Sequence, residues 1–318
     1  VVNNLLRLLG RRLVALPIMV IGVTLLVFFI MYLSPIDPAY SALGEFATPE
    51  ALEKYRIDNG LNDPFLVQYL NYLAGMIQGD LGSYGVGSAN RVSDLVGTAL
   101  PITLQLTFFG LIIAVIFAFP LGIIAAIYRG QWPDQVIRVL SVIFLGTPSF
   151  WLASLLVLGF VGSSLPVSGA LPSITGDFSG WFLRMLLPAI ALATPVVGQM
   201  TRVVRTSMVE ELDSDYVRTA LGAGIPRAVV ISRNVLRNAL ITPVTVLGLR
   251  VGYLIGGAVV IEIIFNLQGM GRVLVTGIQA NYVTLVQGGV LVVAIAFIIV
   301  NIIVDLLYLL INPRIRSV

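Results

Sequence analysis

Six long apolar stretches constrain this chain more than any other feature of its sequence. Each reaches or exceeds the length of about 20 residues that an α-helix needs to cross the roughly 30 Å hydrocarbon core of a bilayer. Charged residues are only 11% of the 318, against roughly a quarter in soluble domains. The sequence therefore predicts an all-α polytopic membrane protein, a single domain over residues 1–318 with six transmembrane helices. The predicted helices are Leu13–Leu33, Pro101–Tyr128, Val139–Val161, Met185–Val204, Leu240–Phe265 and Leu285–Ile311.

The residue types that the chain lacks exclude several kinds of chemistry. There is no cysteine and no histidine, which removes thiolate chemistry and imidazole metal ligands. The single lysine, Lys54, precedes Tyr55, whereas the lysine of a phosphate-binding loop precedes Ser or Thr. The sequence thus predicts no catalytic residue, no metal site and no bound cofactor, so any nucleotide hydrolysis must take place on another subunit.

Arginines cluster in four regions that share one side of the membrane if there are six spans. The positive-inside rule makes that side cytoplasmic and accounts for these residues better than nucleic acid does. This orientation predicts cytoplasmic termini, a cytoplasmic loop over residues 201–239 and an external segment over residues 34–100. The clustered residues are Arg7, Arg11, Arg12, Arg129, Arg138, Arg202, Arg205, Arg218, Arg227, Arg233, Arg237, Arg314 and Arg316.

A polar segment, Glu210–Pro226, carries the turn chemistry of two short helices. Ser214 is predicted to be an N-cap, with Asp215 in the first helical turn, where a negative charge suits the helix dipole. Gly224 is placed to end this helix in a left-handed conformation, and Pro226 fits the first turn of a second helix. Two short helices that hinge on a glycine outside the membrane indicate a docking device for another protein.

The external segment is predicted to contain two helices of its own. Thr48-Pro49-Glu50 has the cap, proline and early acid of a helix start. A second helix opens at Asp63-Pro64 and closes at Gly79, and its apolar residues lie along one face. At about 14 residues it is too short to span a bilayer. It fits either a cover on the membrane surface or a lip that receives a soluble partner.

Prolines fall within several of the predicted spans. They indicate either helices kinked around a cavity or merely the higher frequency of proline in membrane helices. These prolines are Pro17, Pro120, Pro148, Pro195 and Pro243.

The fifth stretch combines small residues with a charge. Gly248, Gly252 and Gly256 recur every fourth residue and let another helix approach closely, either in this subunit or in a second subunit. Arg250 would cost at least roughly 2.5–3.5 kcal/mol if it faced lipid, so it is expected to face water or a carboxylate. It fits either a structural ion pair or a charge that lines a pathway. Glu262, near the end of the stretch, is expected to cap the helix or pair with arginine.

The motifs taken together resemble the permease subunits of ATP-driven importers for dipeptides and oligopeptides, specifically the first of the two permeases in such systems. The resemblance runs almost from end to end. It rests on Leu33-Ser-Pro-Ile-Asp-Pro-Ala39, Gly60-Leu-Asn-Asp-Pro64, Gln68-Tyr-Leu70, Gly79-Asp-Leu-Gly82, Leu100-Pro-Ile-Thr-Leu104, Pro120-Leu-Gly122, Pro148-Ser-Phe-Trp-Leu152, Asp215-Tyr-Val-Arg-Thr-Ala220, Gly257-Ala-Val-Val-Ile-Glu262, Asp305-Leu-Leu-Tyr308 and Asn312-Pro-Arg314. The chain departs from the family's usual residues at Ile36, Leu221, Gly222, Arg250 and Gln268.

The resemblance implies a type I ABC importer permease fold in a bacterial inner membrane. Its implied partners are a second homologous permease, two ATP-binding subunits that hold ATP and Mg²⁺, and an external substrate-binding lipoprotein. The implied ATPase contact comprises Glu211, Asp215, Tyr216, Val217, Arg218, Ala220, Leu221 and Gly224. Within it, Tyr216, Val217, Ala220 and Leu221 are expected to form an apolar ridge.

Two other classes of function are alternatives to the importer. An ion- or proton-coupled secondary transporter needs titratable groups near the midplane and usually an internal repeat, and neither is apparent. A membrane enzyme is disfavoured because this sequence has no clustered carboxylates inside the predicted spans. Within the importer class the solute stays open among dipeptides, longer peptides, glutathione, nickel chelates and oligosaccharides.

Overall fold

The computed structural model describes residues 2–44, 46–85 and 90–311 and is mostly helical there. The C-terminal arginines Arg314 and Arg316 and the Asn312-Pro-Arg314 motif lie outside these ranges. Strands β1 (Ser83–Tyr84) and β2 (Asn90–Arg91) pair antiparallel. The helices are α1 (Val2–Tyr32), α2 (Pro38–Leu43), α3 (Pro49–Asp58), α4 (Phe65–Ile77), α5 (Val92–Ile127), α6 (Trp132–Gly146), α7 (Ser149–Phe160), α8 (Phe178–Leu212), α9 (Asp215–Gly222), α10 (Arg227–Val229), α11 (Leu236–Ala239), α12 (Ile241–Ile264), α13 (Met270–Gln279) and α14 (Val283–Ile311).

Length and apolar composition qualify five of the described helices as membrane spans: α1, α5, α8, α12 and α14. A sixth span exists if α6 and α7 are counted together, and these two helices meet at an angle of 95°. The span predicted over Val139–Val161 is therefore divided between α6 and α7, with a sharp bend at Pro148, one of the prolines for which a kink was an open alternative. Thr147 and Pro148 are both extended at the break, because proline disfavours the helical conformation in the residue before it.

Two compact units divide the chain. One comprises Leu104–Leu267 with parts of both chain ends, and the other comprises Leu6–Thr103 with Gln268–Ile299. In the first unit, α8 packs against α6, α7 and α12. At Gly198 a Cβ would lie 2.6 Å from the Ser141 oxygen and from the Leu145 nitrogen of α6. Only glycine therefore lets the two backbones approach so closely.

The second unit contains the segment predicted to be external. The start of α3 is confirmed, since Thr48 Oγ1 accepts a hydrogen bond from the Ala51 N–H at 3.3 Å. The closing Gly79 is also confirmed, with a φ of +79°. α4 packs on α1 through Tyr69, which is 5% exposed and lies 3.0 Å from the Thr24 hydroxyl. The other side of α4, at Leu66 and Ile77, stays exposed.

One arginine of the first unit is enclosed by backbone carbonyls. Arg184 is 1% exposed and lies well inside α8, because this helix begins at Phe178 rather than at the predicted Met185. Its guanidinium donates to the carbonyl oxygens of Val167, Gly169 and Phe265. Phe265 is the C-cap residue of α12. The unpaired carbonyls at a helix C-terminus attract a cation. Arg184 thus joins the end of α12 to the loop before α8.

Candidate functional site

The segment Glu210–Pro226 contains a short helix that is tied to the end of α8. α9 begins at Asp215 after an extended Ser214, so the predicted N-cap position is confirmed. The Ser214 hydroxyl does not accept from the helix N–H groups. It donates instead to the carbonyl oxygen of Glu211 at 2.6 Å, and this bond fixes the corner between the two helices.

Gly224 ends α9 in the left-handed conformation, with a φ of +81°, as predicted. The Gly224 N–H donates to the Leu221 carbonyl at 3.0 Å, and the Ile225 N–H donates to the Ala220 carbonyl at 3.2 Å. These two bonds form a Schellman motif, which satisfies helix-end carbonyls and needs a positive φ at this position. The predicted glycine hinge is therefore a defined turn.

The chain after the glycine turn is helical but not uniform. Pro226 precedes α10 instead of lying in its first turn, so the predicted start is one residue early. α10 continues into a π-helical turn over Val230–Val235 and then into α11. Such wide turns occur frequently at functional sites. Nothing in the sequence pattern predicted this one.

A small apolar core anchors α9 to the ends of α5 and α8. Val217 is 5% exposed in this core, and Tyr216 and Ala220 are packed against it. Three of the four residues expected to form an apolar ridge therefore face the chain's own core, and Leu221, 41% exposed, faces outward. The core consists of Ala126, Val204, Met208, Val217, Val230, Val235 and Ala239.

Tyr216 connects three elements through its hydroxyl group. It donates to the Glu211 carboxylate of α8 at 2.7 Å and accepts from Asn238 Nδ2 of α11 at 3.4 Å. Burial raises the pKa of Tyr216, and the bond to Glu211 raises this pKa further. The hydroxyl therefore stays protonated, which it must be to donate, throughout the neutral range.

Tyr216→Phe is expected to lower the free energy of unfolding by about 1–2 kcal/mol, because it removes a hydrogen bond to a charged acceptor. A raised folded pKa stabilises the fold fully below the unfolded pKa of about 10 and loses that stabilisation as the pH rises further. The difference between wild type and variant should accordingly shrink above pH 10 in thermal unfolding. Tyr128→Phe is the control, since the Tyr128 side chain has no hydrogen bond among the described residues and is 46% exposed. Equal effects of the two substitutions would contradict the role of the hydroxyl.

The outward side of α9 is polar and strongly exposed. The side chains of Asp215 and Arg218 are 97% and 74% exposed and lie 3.5 Å apart. Residues 221–229 are exposed without interruption. Beside them an open cleft of about 370 Å³ is lined by Leu221, Arg227 and Ile231, among others. Another protein could contact this surface without disturbing the core beneath it.

Sequence reasoning missed the ion pairs that fix the ends of the helices at this site. Asp134, at the start of α6, is 1% exposed. It accepts two hydrogen bonds from Arg205 of α8, at 2.6 and 2.8 Å. It also accepts the Gly130 N–H at 2.9 Å. Arg129 pairs with Asp213 at 2.7 Å. The only signal in the sequence was an acidic residue near a helix start, which does not specify its partner.

The remaining predicted residues lie on α12. A Cβ at Gly248 would collide with Val304 of α14, so Gly248 serves close packing inside this chain. Gly256 is exposed, and a Cβ there would meet nothing within 4 Å. Gly252 is half-buried and Glu262 is fully buried. The glycine stripe is therefore used for packing at one end and is open at the other.

Arg250 lacks, among the described side chains, the carboxylate partner that a structural ion pair would require. Its side chain is half-buried. Its Nε atom is enclosed and forms no hydrogen bond in the described part of the chain. The structure gives it no ion pair there either.

Two sequence families together match most of the chain. Residues 118–317 match the family described as the inner membrane component of binding-protein-dependent transport systems. Residues 5–107 match the N-terminal family of the same membrane components.

Curated relatives match over nearly their full length. One is a putative peptide transport system permease protein of Brucella abortus, 38% identical over 95% of this chain and 96% of the relative. A probable D,D-dipeptide transport system permease protein of Escherichia coli is 36% identical and covers 96% of each chain. A glutathione transport system permease protein of Pectobacterium atrosepticum is 37% identical over 96% of this chain and 97% of its own length.

A solved structure of an amino acid ABC transporter with histidines shares the fold. Its TM-score is 0.53 at 16% identity, over 70% of this chain and 94% of the transporter chain.

Proposed function

This chain belongs to the inner membrane component family of binding-protein-dependent transport systems, and on that premise we propose that it is the permease of an ATP-driven importer of short peptides. It is a multi-pass inner membrane protein that works with a partner permease, an ATPase and a substrate-binding protein. The proposal of a peptide solute is supported by relatives that are named for peptide, D,D-dipeptide and glutathione transport. The chemistry common to these solutes is a short peptide with free charged ends.

The surface around α9 is the proposed contact with the ATPase. The single observation that carries this assignment is that the inner face of α9 packs against α5 and α8, whereas its outer side is exposed. Such a helix can be pushed from outside and transmit the push, because its inner contacts are rigid. We assign the contact to Asp215, Arg218 and Leu221 on the outer side, with Glu211, Tyr216, Val217 and Ala220 holding the helix in place and Gly224 setting its end.

The rest of the proposal follows from this contact. Residues 201–239 lie on the cytoplasmic side and residues 34–100 on the external side, as the arginine distribution favours. Two ATPase subunits hold ATP and Mg²⁺, and this chain binds neither. Closure of the ATPase pair moves α9 and, with it, the helices that carry the solute. Gly248 packs α12 against α14, whereas the open end of the stripe at Gly252 and Gly256 is available to a second permease. The same helix carries Arg250 and Glu262, and we assign it to the translocation pathway.

Leu221→Asp is expected to abolish co-purification of the ATPase and ATP-dependent uptake in proteoliposomes, while the chain still folds. The substitution buries a charge in the contact but leaves the chain's own core untouched, since Leu221 is 41% exposed. An unpaired charge buried in an interface costs several kcal/mol, which amounts to a loss of more than a hundredfold in affinity. Ile57→Asp is the matched control, because Ile57 is 65% exposed on α3 and is distant from Leu221 in the sequence. This variant should retain both co-purification of the ATPase and uptake. Normal uptake by the Leu221 variant would refute the assigned contact.

A further inference from the structure

Arg250 differs from two other arginines whose side chains are paired within the helical fold. The Arg184 guanidinium donates hydrogen bonds to three backbone carbonyls, and Arg205 forms an ion pair with Asp134. In both cases the fold supplies the partner that a guanidinium inside a membrane protein needs. Arg250 has no such partner among the side chains that the structure describes.

Its own helix offers no carboxylate within reach. The next acidic residue along α12 is Glu262, about 18 Å further at 1.5 Å per residue. Glu262 is fully buried and has contacts of its own. An internal ion pair on α12 therefore does not explain Arg250.

The surroundings of Arg250 indicate where its charge is directed. The enclosed Nε shows that the stem is packed, whereas the half-buried side chain as a whole leaves the guanidinium end accessible. That end cannot face hydrocarbon, because an arginine at mid-bilayer costs at least roughly 2.5–3.5 kcal/mol there. It must face a polar space at the middle of the span.

Tyr253 adds a second polar group to the same side of the helix. Residues three apart are neighbours on a helix surface, and Tyr253 is 48% exposed. Its hydroxyl forms no hydrogen bond in the part of the chain that is described. A guanidinium fork and a phenol hydroxyl side by side are donors that suit a planar carboxylate.

We propose that Arg250, with Tyr253 beside it, binds a carboxylate group of the transported solute and so favours peptides with a free C-terminus. This inference rests on the proposed function as a peptide permease. Arginine suits the task because its fork can hold both oxygens of a carboxylate, whereas lysine offers a point charge. The interaction compensates for the charge that the solute's terminus would otherwise carry into a medium of low dielectric constant.

The test uses the complete transporter in proteoliposomes with its binding protein. ATP-dependent uptake is measured for trialanine and for trialanine amide, which lacks only the C-terminal charge. Arg250→Gln is expected to reduce the ratio of acid to amide uptake about tenfold, as befits the loss of a charge-assisted hydrogen bond. Arg250→Lys should retain part of the preference. The binding protein's own selectivity cancels when the uptake ratios of two variants are compared, because the same binding protein is used for every variant.

Leu249→Gln is the control, since it introduces the same amide side chain one residue earlier. The Leu249 side chain is 71% exposed. It should keep the wild-type ratio. An unchanged ratio in Arg250→Gln, with uptake intact, overturns the inference and leaves the peptide permease standing. Failure of Arg250→Gln to co-purify with the second permease shows a packing role and also overturns it. A wild-type transporter that moves neither peptide overturns the peptide assignment, and this inference with it.

Discussion

Gly198→Ala is expected to lower the free energy of unfolding of the chain by about 3 kcal/mol, the upper end of the usual cost of overpacking. The added methyl group would lie 2.6 Å from two backbone atoms of α6 and 2.9 Å from the Phe144 Cβ. Backbone atoms inside a helix cannot rotate away as a side chain can. α6 and α8 would have to separate, and the buried Asp134–Arg205 pair that links them would be strained. Thermal unfolding in detergent measures the effect as a clear fall in Tm.

Gly159→Ala provides the matched comparison. Gly159 also lies within an apolar helix, but a Cβ there would meet nothing within 4 Å. Alanine is a better helix former than glycine by about 1 kcal/mol, so this variant should be as stable as wild type or slightly more so. If both alanine variants unfolded at the same temperature, the close approach of α6 and α8 at Gly198 would be disproved.

Gly224→Val is expected to abolish ATP-dependent uptake and association with the ATPase. The φ of +81° at this position costs a β-branched residue of the order of 1–3 kcal/mol. The chain would relieve that strain by giving up the Schellman bonds of Leu221 and Ala220. Since residues 221–229 are exposed, the fold beneath should survive while the docking surface is lost. Uptake and co-purification with the ATPase are the measurements.

Gly224→Asn separates backbone conformation from residue size. Asparagine tolerates the left-handed conformation far better than valine does, so it should retain most of the uptake. Gly222→Ala, two residues earlier at a position where a Cβ meets nothing within 4 Å, should also be active. Full activity of the valine variant would show that the turn geometry is not used for docking.

Apolar length alone was enough to predict the membrane-spanning helices, because a helix is the one structure that satisfies its backbone groups within a single segment in lipid. The boundaries were less predictable. α5 begins at Val92 and α8 continues to Leu212, beyond the apolar stretches expected for them. Helices do not stop where hydrophobicity stops if capping and packing continue. A kink at Pro148 was one of two open alternatives, and proline alone does not specify a bend of 95°.

In the segment Glu210–Pro226, local chemistry was predictable and side-chain direction was not. The cap position of Ser214 and the positive φ of Gly224 depend on a few neighbouring residues, and both are confirmed. The direction of Val217 depends on which elements pack against α9, and these are far away in sequence. The same holds for the pairing of Asp134 with Arg205, 71 residues apart. Tertiary contacts of this kind leave no periodic signal in the sequence.

The uninterrupted length of α8 has a mechanical consequence. Its 35 residues extend over about 52 Å, against a hydrocarbon core of roughly 30 Å. About 20 Å therefore stands clear of the lipid as a stiff lever arm. A tilt of only about 10° displaces one end of such a rod by about 9 Å relative to the other. A small stroke applied near Leu212 would thus be carried along α8 as far as Pro195 and Pro188, which lie inside the helix and are the positions where it can bend.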